Sequence, residues 1–221
     1  MTEFRDRADA GHRLAKALAE YKGRHAVVLA LPRGGVPVAA EVAATLDAPL
    51  DLILVRKIGV PFQPELAMGA VVDGLAPIVV RNEEVLRVSG TTASEFDEVC
   101  EKERAEIERR RKLYIGDRPR AEIAGRVVIV VDDGIATGTT TRAALQAIRK
   151  QKPKELVLAV PVAPRETVAE LRGEVDALIC LETPDPFLAI GCFYRDFQQV
   201  SDEEVMAILR RFPIKGTTSI S

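Results

Sequence analysis

The chain has 221 residues and a formal net charge of −2, from 31 Lys and Arg against 33 Asp and Glu. This length is enough for one sizeable α/β domain, and the near-neutral charge argues against a general affinity for nucleic acid or anionic membranes. The three cysteines form no CxxC pair and there are only two histidines, so we expect neither a zinc site nor a histidine-based catalytic triad.

The amino-terminal residues predict a cytoplasmic protein without membrane contact. The first 21 residues are charged and amphipathic, whereas a signal peptide needs an apolar core. Farther along the chain, no apolar run approaches the roughly 20 residues that span a bilayer.

The first quarter of the chain alternates between helical and strand patterns. The predicted elements are a helix at 11–21, a strand at 26–31, a helix at 36–46 and a strand at 50–55. Each predicted strand is a short aliphatic run of the kind that is buried on both faces. The turn-forming sequence PRGG follows the first strand, and RKIG follows the second.

The middle of the chain departs from this alternation. Residues 58–68 contain two prolines and a glycine without any period, which predicts a long loop of the kind that covers active sites. The runs AVVDG and PIVVR around Asp73 and Gly74 predict a small hairpin. Residues 92–114 form the longest predicted helix. Its basic run at 109–112 could contact RNA, although a solvated helix face explains it better.

The second half of the chain alternates again. The predicted elements are strands at 126–131, 155–160 and 176–181 and helices at 139–150, 165–172 and, in the tail, near 202–211. Such alternation predicts an α/β fold with a doubly wound, mostly parallel sheet. Ligands of such folds bind beyond the carboxyl ends of the strands, where PRGG, RKIG and DDGIATGTT all fall.

The stretch VVIVVDDGIATGTT carries the strongest functional signal. Gly134, Gly138 and the threonines let the backbone turn and aim N–H groups inward, and the next helix adds its amino-terminal amides, which suits a phosphate monoester. Asp132 and Asp133 are acceptors that suit vicinal hydroxyls or magnesium-bound water. Ordinary Asp and Thr caps in a turn account for one acid and one threonine only. Neither a P-loop nor GxGxxG occurs.

This stretch resembles the 5-phosphoribosyl-1-pyrophosphate (PRPP) motif of type I phosphoribosyltransferases, and the resemblance extends over about residues 24–182. It implies that Asp132 and Asp133 hold the ribose 2- and 3-hydroxyls. The residues implied to wrap the 5-phosphate are Ala136, Thr137, Gly138, Thr139 and Thr140. The whole chain also resembles a group of bacterial phosphoribosyltransferase-like proteins, and that resemblance names no acceptor.

Two further segments resemble the family in the expected order. PRGG is similar to its pyrophosphate loop, and VRKIG to the segment that leads into its flexible catalytic loop. The residues implied to contact pyrophosphate are Arg33, Gly34, Gly35, Arg56 and Lys57. The resemblance also implies a lid at 58–70 and a magnesium cofactor held mainly by substrate oxygens near Asp132 and Asp133.

The sequence departs from the family pattern in two places. Members that act on 6-oxopurines carry an acid where this chain has Ala136, which argues against that substrate class. The form DDxxATGxT and the segment VRKIG look more like adenine-type members, whereas the region 73–118 does not resemble them.

We expect one domain over residues 1–221. Its parts would be a core at 24–72 and 119–182, a helical and hairpin insertion at 73–118 and a small carboxyl-terminal hood at 183–221. Within the hood, Phe187, Phe193 and Tyr194 could stack on a planar acceptor, and packing of the hood's own small core explains them equally well.

The resemblance implies an Mg²⁺-dependent transfer of the 5-phosphoribosyl group from PRPP to a nitrogenous or other small acceptor, with pyrophosphate released. It implies a role in nucleotide metabolism, small-molecule partners without nucleic acid, and a homodimer. Two alternatives stay open. One is a PRPP-sensing regulator that binds nucleic acid or protein, and the other is a hydrolase of PRPP or a related phosphate ester.

Overall fold

The structure is a computed structural model that describes residues 3–74 and 77–214. Its helices are α1 (Arg7–Ala17), α2 (Gly35–Leu46), α3 (Glu83–Ser89), α4 (Ala93–Tyr114), α5 (Thr139–Lys150), α6 (Arg165–Leu171) and α7 (Asp202–Arg210). Its strands are β1 (Ala26–Ala30), β2 (Leu50–Leu52), β3 (Val55–Val60), β4 (Gln63–Val72), β5 (Ile78–Arg81), β6 (Val127–Val131), β7 (Glu155–Val162) and β8 (Ala177–Glu182).

Five strands form a sheet in the order β2-β1-β6-β7-β8, and every neighbouring pair is parallel. All residues of β1 and β6 are buried, because helices cover both faces. Along β6, Ile129 packs in one apolar cluster with residues of α1 and α2, and Val130 packs in another with residues of α5 and α6. The predicted doubly wound, mostly parallel α/β fold is therefore confirmed.

A second sheet of three antiparallel strands, in the order β3-β4-β5, stands beside the parallel sheet. The hairpin predicted around Asp73 joins β4 to β5 and is confirmed. The long loop predicted at 58–68 is wrong, because β3 and β4 pair across a turn at Pro61 and Phe62. The lid predicted at 58–70 stays a prediction.

The prolines at 61 and 64 are compatible with a hairpin because the strand register is irregular near its tip. Gly59 pairs with Ala67 and Val60 pairs with Gln63, so the pairing skips residues 64–66. Pro64 lies within this bulge, where its missing N–H group costs no hydrogen bond of the ladder. The strand predicted at 50–55 is also too long, because β2 ends at Leu52 and Val55 already begins β3.

The long helix predicted at 92–114 is confirmed as α4. It begins with a capping box in which Thr92 and Glu95 each bond the other's backbone N–H group. On its basic face, Arg109 and Arg110 both donate hydrogen bonds to Glu106, at 2.8 and 2.7 Å. Those two arginines lower the pKa of Glu106 to about 2. The charges of this run therefore pair with one another along a solvated helix face.

The amino-terminal segment packs against residues 193–195 of the carboxyl-terminal tail. The backbone N–H of Phe4 donates to the carbonyl of Phe193, and the N–H of Arg195 donates to the carbonyl of Phe4, each at 2.9 Å. Helix α1, which begins just after this contact, therefore lies beside the carboxyl-terminal tail. Within the described ranges, no helix has both the length and the apolar composition needed to cross a membrane.

The predicted division into core, insertion and hood stays a prediction. In the structure, β5 from the predicted insertion pairs with β4 from the predicted core. The antiparallel sheet thus combines both segments.

Candidate active site

Two loops meet at the carboxyl edge of the parallel sheet. One follows β1 and leads into α2, and the other follows β6 and leads into α5. The two strands are neighbours, and the N–H of Leu31 extends their ladder by donating to the carbonyl of Val131 at 3.0 Å. The PRGG turn and the two acids therefore lie side by side, as the sequence pattern predicts.

Gly34 and Gly35 make this close approach possible. A Cβ atom on Gly34 would lie 2.0 Å from Oδ2 of Asp133. A Cβ atom on Gly35 would lie 2.8 Å from the carbonyl oxygen of Val131 and 2.9 Å from Cα of Asp132. The family resemblance assigns these glycines a pyrophosphate contact only, so their packing against the acid loop is an additional function. The peptide bond between Pro32 and Arg33, just before them, is cis.

A hydrogen bond joins Asp132 and Asp133 at the end of β6. The N–H of Asp133 donates to Oδ1 of Asp132 at 2.8 Å. Asp133 is buried and Asp132 is half-buried. Burial, followed by the neighbouring charge of Asp133, raises the pKa of Asp132 well above its usual value. The pair thus favours a ligand that supplies hydroxyl donors or positive charge.

Arg7 is a residue of this site that sequence reasoning missed. It is the first residue of α1, and its Nε donates to Oδ2 of Asp133 at 2.8 Å. The two side chains are 12% and 11% exposed. The two residues are 126 positions apart, so no local pattern could have joined them.

Three hydrogen bonds hold the loop after β6 from outside. The Tyr194 hydroxyl donates to the Asp133 carbonyl at 2.6 Å. The N–H of Ile135 donates to the carbonyl of Val162 at 2.9 Å, and Oγ1 of Thr167 donates to the carbonyl of Ala136 at 2.8 Å. Beyond Ile135 the loop is therefore held through a carbonyl oxygen, that of Ala136, which leaves the N–H groups of residues 136–140 for a ligand.

The predicted 5-phosphate segment has the features of an anion site. Gly138 takes the left-handed conformation with φ of +73°, and Thr139 begins α5. Ala136, Thr137, Thr139 and Thr140 are exposed. In the part of the chain that the structure describes, no backbone carbonyl accepts a hydrogen bond from the N–H groups of residues 136–140. Free N–H groups at a helix amino terminus are well suited to a phosphate.

Among the cations predicted to bind pyrophosphate, Arg33 is the one beside the acids. It lies in the turn after β1, and its Nη1 is 3.5 Å from Oδ1 of Asp202, the first residue of α7. The Tyr114 hydroxyl donates a hydrogen bond to the same carboxylate oxygen. Burial, and then this hydrogen bond, raise the pKa of Tyr114 to about 12.

Arg56 and Lys57 are on the other sheet. Both belong to β3, within the strand rather than before a flexible loop. Nε of Arg56 is 2.7 Å from Oε2 of Glu103 in α4, and Nζ of Lys57 is 3.3 Å from Oε2 of Glu65 in β4. Arg56 and Lys57 are thus each paired with an acid. Of the three predicted cations, Arg33 is the one that lies in a loop of the parallel sheet.

The three aromatic residues proposed to stack on an acceptor form a cluster of their own. The Phe187 and Phe193 rings stack at 5.5 Å, and Tyr194 packs on Phe4 at 5.3 Å and on Phe197 at 4.9 Å. Phe193 and Tyr194 are each only 5% exposed, because their neighbours cover them. This is the packing that the alternative interpretation expects. Stacking on an acceptor stays a prediction, for which Phe187 has the most accessible ring of the three.

The acid pair fits a magnesium ion that is shared with a substrate. Two adjacent carboxylates offer the oxygen ligands that Mg²⁺ prefers. Across residues 3–74 and 77–214, no group of three or more His, Cys, Asp or Glu side chains could hold a metal ion. A magnesium ion here would therefore take most of its ligands from a substrate or from water.

Comparison with known proteins identifies the class. A family model described as "Phosphoribosyl transferase domain" matches residues 2–197. The chain therefore belongs to this family, as its PRPP-like motif indicates.

Two relatives and one solved structure are similar over nearly the whole chain. The relatives are "Putative phosphoribosyl transferase MT0597" and "Putative phosphoribosyl transferase Rv0571c", from two strains of Mycobacterium tuberculosis, and each is 49% identical over 211 residues. The match covers 96% of this chain and 47% of each relative, so the chain spans about half the length of these curated relatives. The crystal structure of TT1426 from Thermus thermophilus is 42% identical, with a TM-score of 0.82, and the match covers 96% of this chain and 99% of that one.

Proposed function

We propose that this protein transfers the 5-phosphoribosyl group of PRPP to a nitrogenous or other small acceptor, with Mg²⁺ as cofactor and pyrophosphate as the leaving product. One observation carries the proposal. The loop after β6 joins two adjacent acids to a run of free backbone N–H groups, and it lies against the glycine turn that follows β1. A cytoplasmic location and a role in nucleotide metabolism go with this proposal.

Each part of PRPP has a counterpart at this edge of the sheet. The N–H groups of residues 136–140 bind the 5-phosphate, because a doubly charged anion is stabilised at a helix amino terminus. Asp132 and Asp133 accept hydrogen bonds from the ribose hydroxyls. Arg33 lies in the turn beside them and contacts the pyrophosphate group, exchanging Asp202 for phosphate oxygens.

The reaction breaks the bond between C1 of the ribose and a pyrophosphate oxygen and forms a bond between C1 and the acceptor atom, whose proton passes to the solvent. The electron pair of the broken bond leaves with pyrophosphate, so positive charge develops on the sugar and negative charge on the leaving group. Arg33 stabilises that negative charge, which a preorganised cation does best in a site that excludes water. Magnesium, when bound, supplies further positive charge to the pyrophosphate oxygens.

We propose that the hairpin of β3 and β4 is the lid that the resemblance implies at 58–70. Its strand β3 carries Arg56 and Lys57, and its tip at Pro61 and Phe62 is exposed. The exposed tip would close over bound PRPP, and the two cations, which lie in the strand below the tip, would contact the pyrophosphate from there. They would then exchange Glu103 and Glu65 for phosphate oxygens and keep water away from the reacting carbon.

Pyrophosphate release from PRPP tests the proposal. The wild-type protein with Mg²⁺ is offered a panel of purines, pyrimidines and small amines, and a reaction with water alone serves as control. We expect release that depends on one acceptor and is abolished in the Asp132→Asn and Asp133→Asn variants. Release in water alone would replace the transferase with a hydrolase. Tight PRPP binding without release from any acceptor would favour a sensor.

A nucleic-acid-binding regulator receives no support from the basic run of α4. Arg109 and Arg110 are paired with Glu106, and Arg111 lies 3.7 Å from Glu108. These pairs reduce the net positive potential that a nucleic-acid surface needs. A salt-sensitive affinity for RNA or DNA would revive this alternative.

A further inference from the structure

One arginine connects three distant parts of the chain at the acid pair. Nε of Arg7 donates to Oδ2 of Asp133 at 2.8 Å, and its Nη1 donates to the carbonyl of Gln198 at 2.7 Å. Its guanidinium group also lies over the ring of Phe197, 4.0 Å from the ring centre. The amino-terminal helix, the loop after β6 and the carboxyl-terminal tail therefore meet at a single side chain.

The geometry restrains the direction of Asp133. The guanidinium group is planar and rigid, so a hydrogen bond from Nε, a second one from Nη1 and the ring below it together fix the plane of Arg7. A fixed Nε in turn holds Oδ2 of Asp133, which lies over Gly34 where no Cβ interferes. Within the described residues, the other oxygen, Oδ1, accepts no hydrogen bond. It is the oxygen left for a ligand.

Arg13, on the same helix, also pairs with an acid and lies over an aromatic ring, but it does not contact the acid pair. Arg13 donates to Asp9 at 2.7 Å and lies over the ring of Phe4 at 5.2 Å. Its acid is one turn away on the same helix, so this pair serves the helix alone. Arg7, by contrast, reaches an acid of the candidate ribose site and is more deeply buried. The contrast makes Arg13 a natural control.

We propose that Arg7 is a positioning residue of the ribose site: by fixing Oδ2 of Asp133, it aims Oδ1 at a ribose hydroxyl of a phosphoribosyl ligand. The proposal rests on the proposed function, because it needs a ribose beside the acid pair. It also makes the tail part of the site, since Phe197 and Gln198 set the plane of the arginine. A purely structural ion pair would tie α1 to the sheet without affecting how the ligand's hydroxyls are recognised.

Binding of three ligands distinguishes a positioning role of Arg7 from a purely structural one. They are ribose 5-phosphate, an analogue that keeps the ring and the phosphate but has no ring hydroxyls, and inorganic phosphate. Calorimetry measures their affinities for the wild type, Arg7→Ala and Arg13→Ala. In R7A we expect the affinity for ribose 5-phosphate to fall about tenfold or more, as for a lost charge-assisted hydrogen bond. The affinities for the analogue and for phosphate should stay unchanged, because the phosphate contacts backbone N–H groups.

Two further measurements guard against a folding defect. Low concentrations of guanidinium should restore ribose 5-phosphate affinity in R7A, whereas urea at the same concentration should not, since only guanidinium supplies the planar cationic donor that Asp133 has lost. Arg7→Lys keeps the charge and loses the planar fork, so its affinity should lie between those of R7A and the wild type. R13A should bind all three ligands as the wild type does.

The outcomes that overturn the proposal differ from those that overturn the proposed function. If R7A or R7K prefers ribose 5-phosphate over the hydroxyl-free analogue as strongly as the wild type, Arg7 does not position Asp133. If R7A loses affinity for all three ligands equally and guanidinium has no effect, the arginine is structural. If the wild type itself shows no preference for the hydroxyls, the ribose site and the proposed function fail together.

Discussion

The two sheets of this protein present their polar side chains in different ways. In the parallel sheet, β1 and β6 are buried throughout, and the acids and free N–H groups belong to the loops that follow them. In the antiparallel sheet, Arg56 and Lys57 belong to strand β3 itself, and the hairpin tip bears Phe62 with 70% of its surface exposed.

This difference separates a rigid region from one that is able to move. The loops at the parallel sheet are held by close packing against Gly34 and Gly35 and by buried hydrogen bonds such as that of Tyr194. The tip of the hairpin has little packed around it, and such segments open at low cost in free energy. Ribose and the 5-phosphate therefore bind to a preformed surface in our account, and the hairpin tip closes over them afterwards.

We expect the largest effect on stability from adding a Cβ atom at Gly35, where the two loops of the parallel sheet pack together. A Cβ on Gly35 would lie 2.8 Å from one backbone atom and 2.9 Å from another, and neither can move alone. We expect Gly35→Ala to lower the free energy of unfolding by about 2–3 kcal/mol. Urea denaturation measures this. Gly173→Ala is the control, because no heavy atom lies within 4 Å of its added Cβ. Equal stability of the two variants would contradict the close approach.

A smaller effect is expected from the hydrogen bond that holds the acid loop. Tyr194→Phe removes the donor to the Asp133 carbonyl, and a buried acceptor without its partner costs about 1–2 kcal/mol. Denaturation should show this loss, and ribose 5-phosphate affinity should fall severalfold. Tyr21→Phe removes a comparable bond to Glu155 far along the sheet, at 3.1 Å, and should leave the affinity unchanged. An equal loss of affinity in both variants would show that the effect is not local.

The cations of the hairpin should affect one part of the ligand only. The double variant Arg56→Ala with Lys57→Ala should weaken PRPP and pyrophosphate binding about tenfold, or about 1.4 kcal/mol. It should leave ribose 5-phosphate affinity unchanged. The control Arg109→Ala with Arg110→Ala removes the same charge from α4, where both arginines pair with Glu106. Weaker ribose 5-phosphate binding in the hairpin variant would contradict the division between the two sheets.

The smallest effect on stability is expected at the hairpin tip. Phe62→Ala removes a side chain that is 70% exposed, so the free energy of unfolding should change by less than about 0.5 kcal/mol. The rate of pyrophosphate release should nevertheless fall, because the tip covers PRPP in the closed form that we propose. Leu188→Ala, which changes a tail residue 77% exposed, is the control for both measurements. An unaltered rate in F62A would argue against closure of the hairpin.

The parallel sheet could be predicted from the sequence because its strands are short aliphatic runs separated by helices of clear period. VVIVV and AVVLA are buried on both faces, and the acids and glycines that follow them interrupt the apolar pattern sharply. The position of Asp132, Asp133 and the threonine run at one sheet edge follows from parallel pairing alone.

The pairing of β3 with β4 and the support of the site could not be predicted in this way. Gly59, Pro61 and Pro64 are typical of loops, and only the register of β3 and β4 reveals that a bulge accommodates Pro64. Helix α3 was not predicted, because it has only seven residues and just Val85 and Leu86 pack, half-buried, against the core, which is too little to produce a periodic pattern. The contact of Arg7 with Asp133 joins positions far apart in the chain, and only the fold brings them together.

Calorimetric titration of PRPP with Mg²⁺ into the wild type and the Asp132→Asn variant tests the central claim most directly. The hydrogen bond of Arg7 goes to Asp133, and asparagine keeps the shape of Asp132, so the variant removes the acceptor charge without leaving that arginine unpaired. We predict binding by the wild type and a loss of about tenfold or more in the variant. Equal PRPP affinity in the two proteins would contradict the assignment of the loop after β6 as the ribose site.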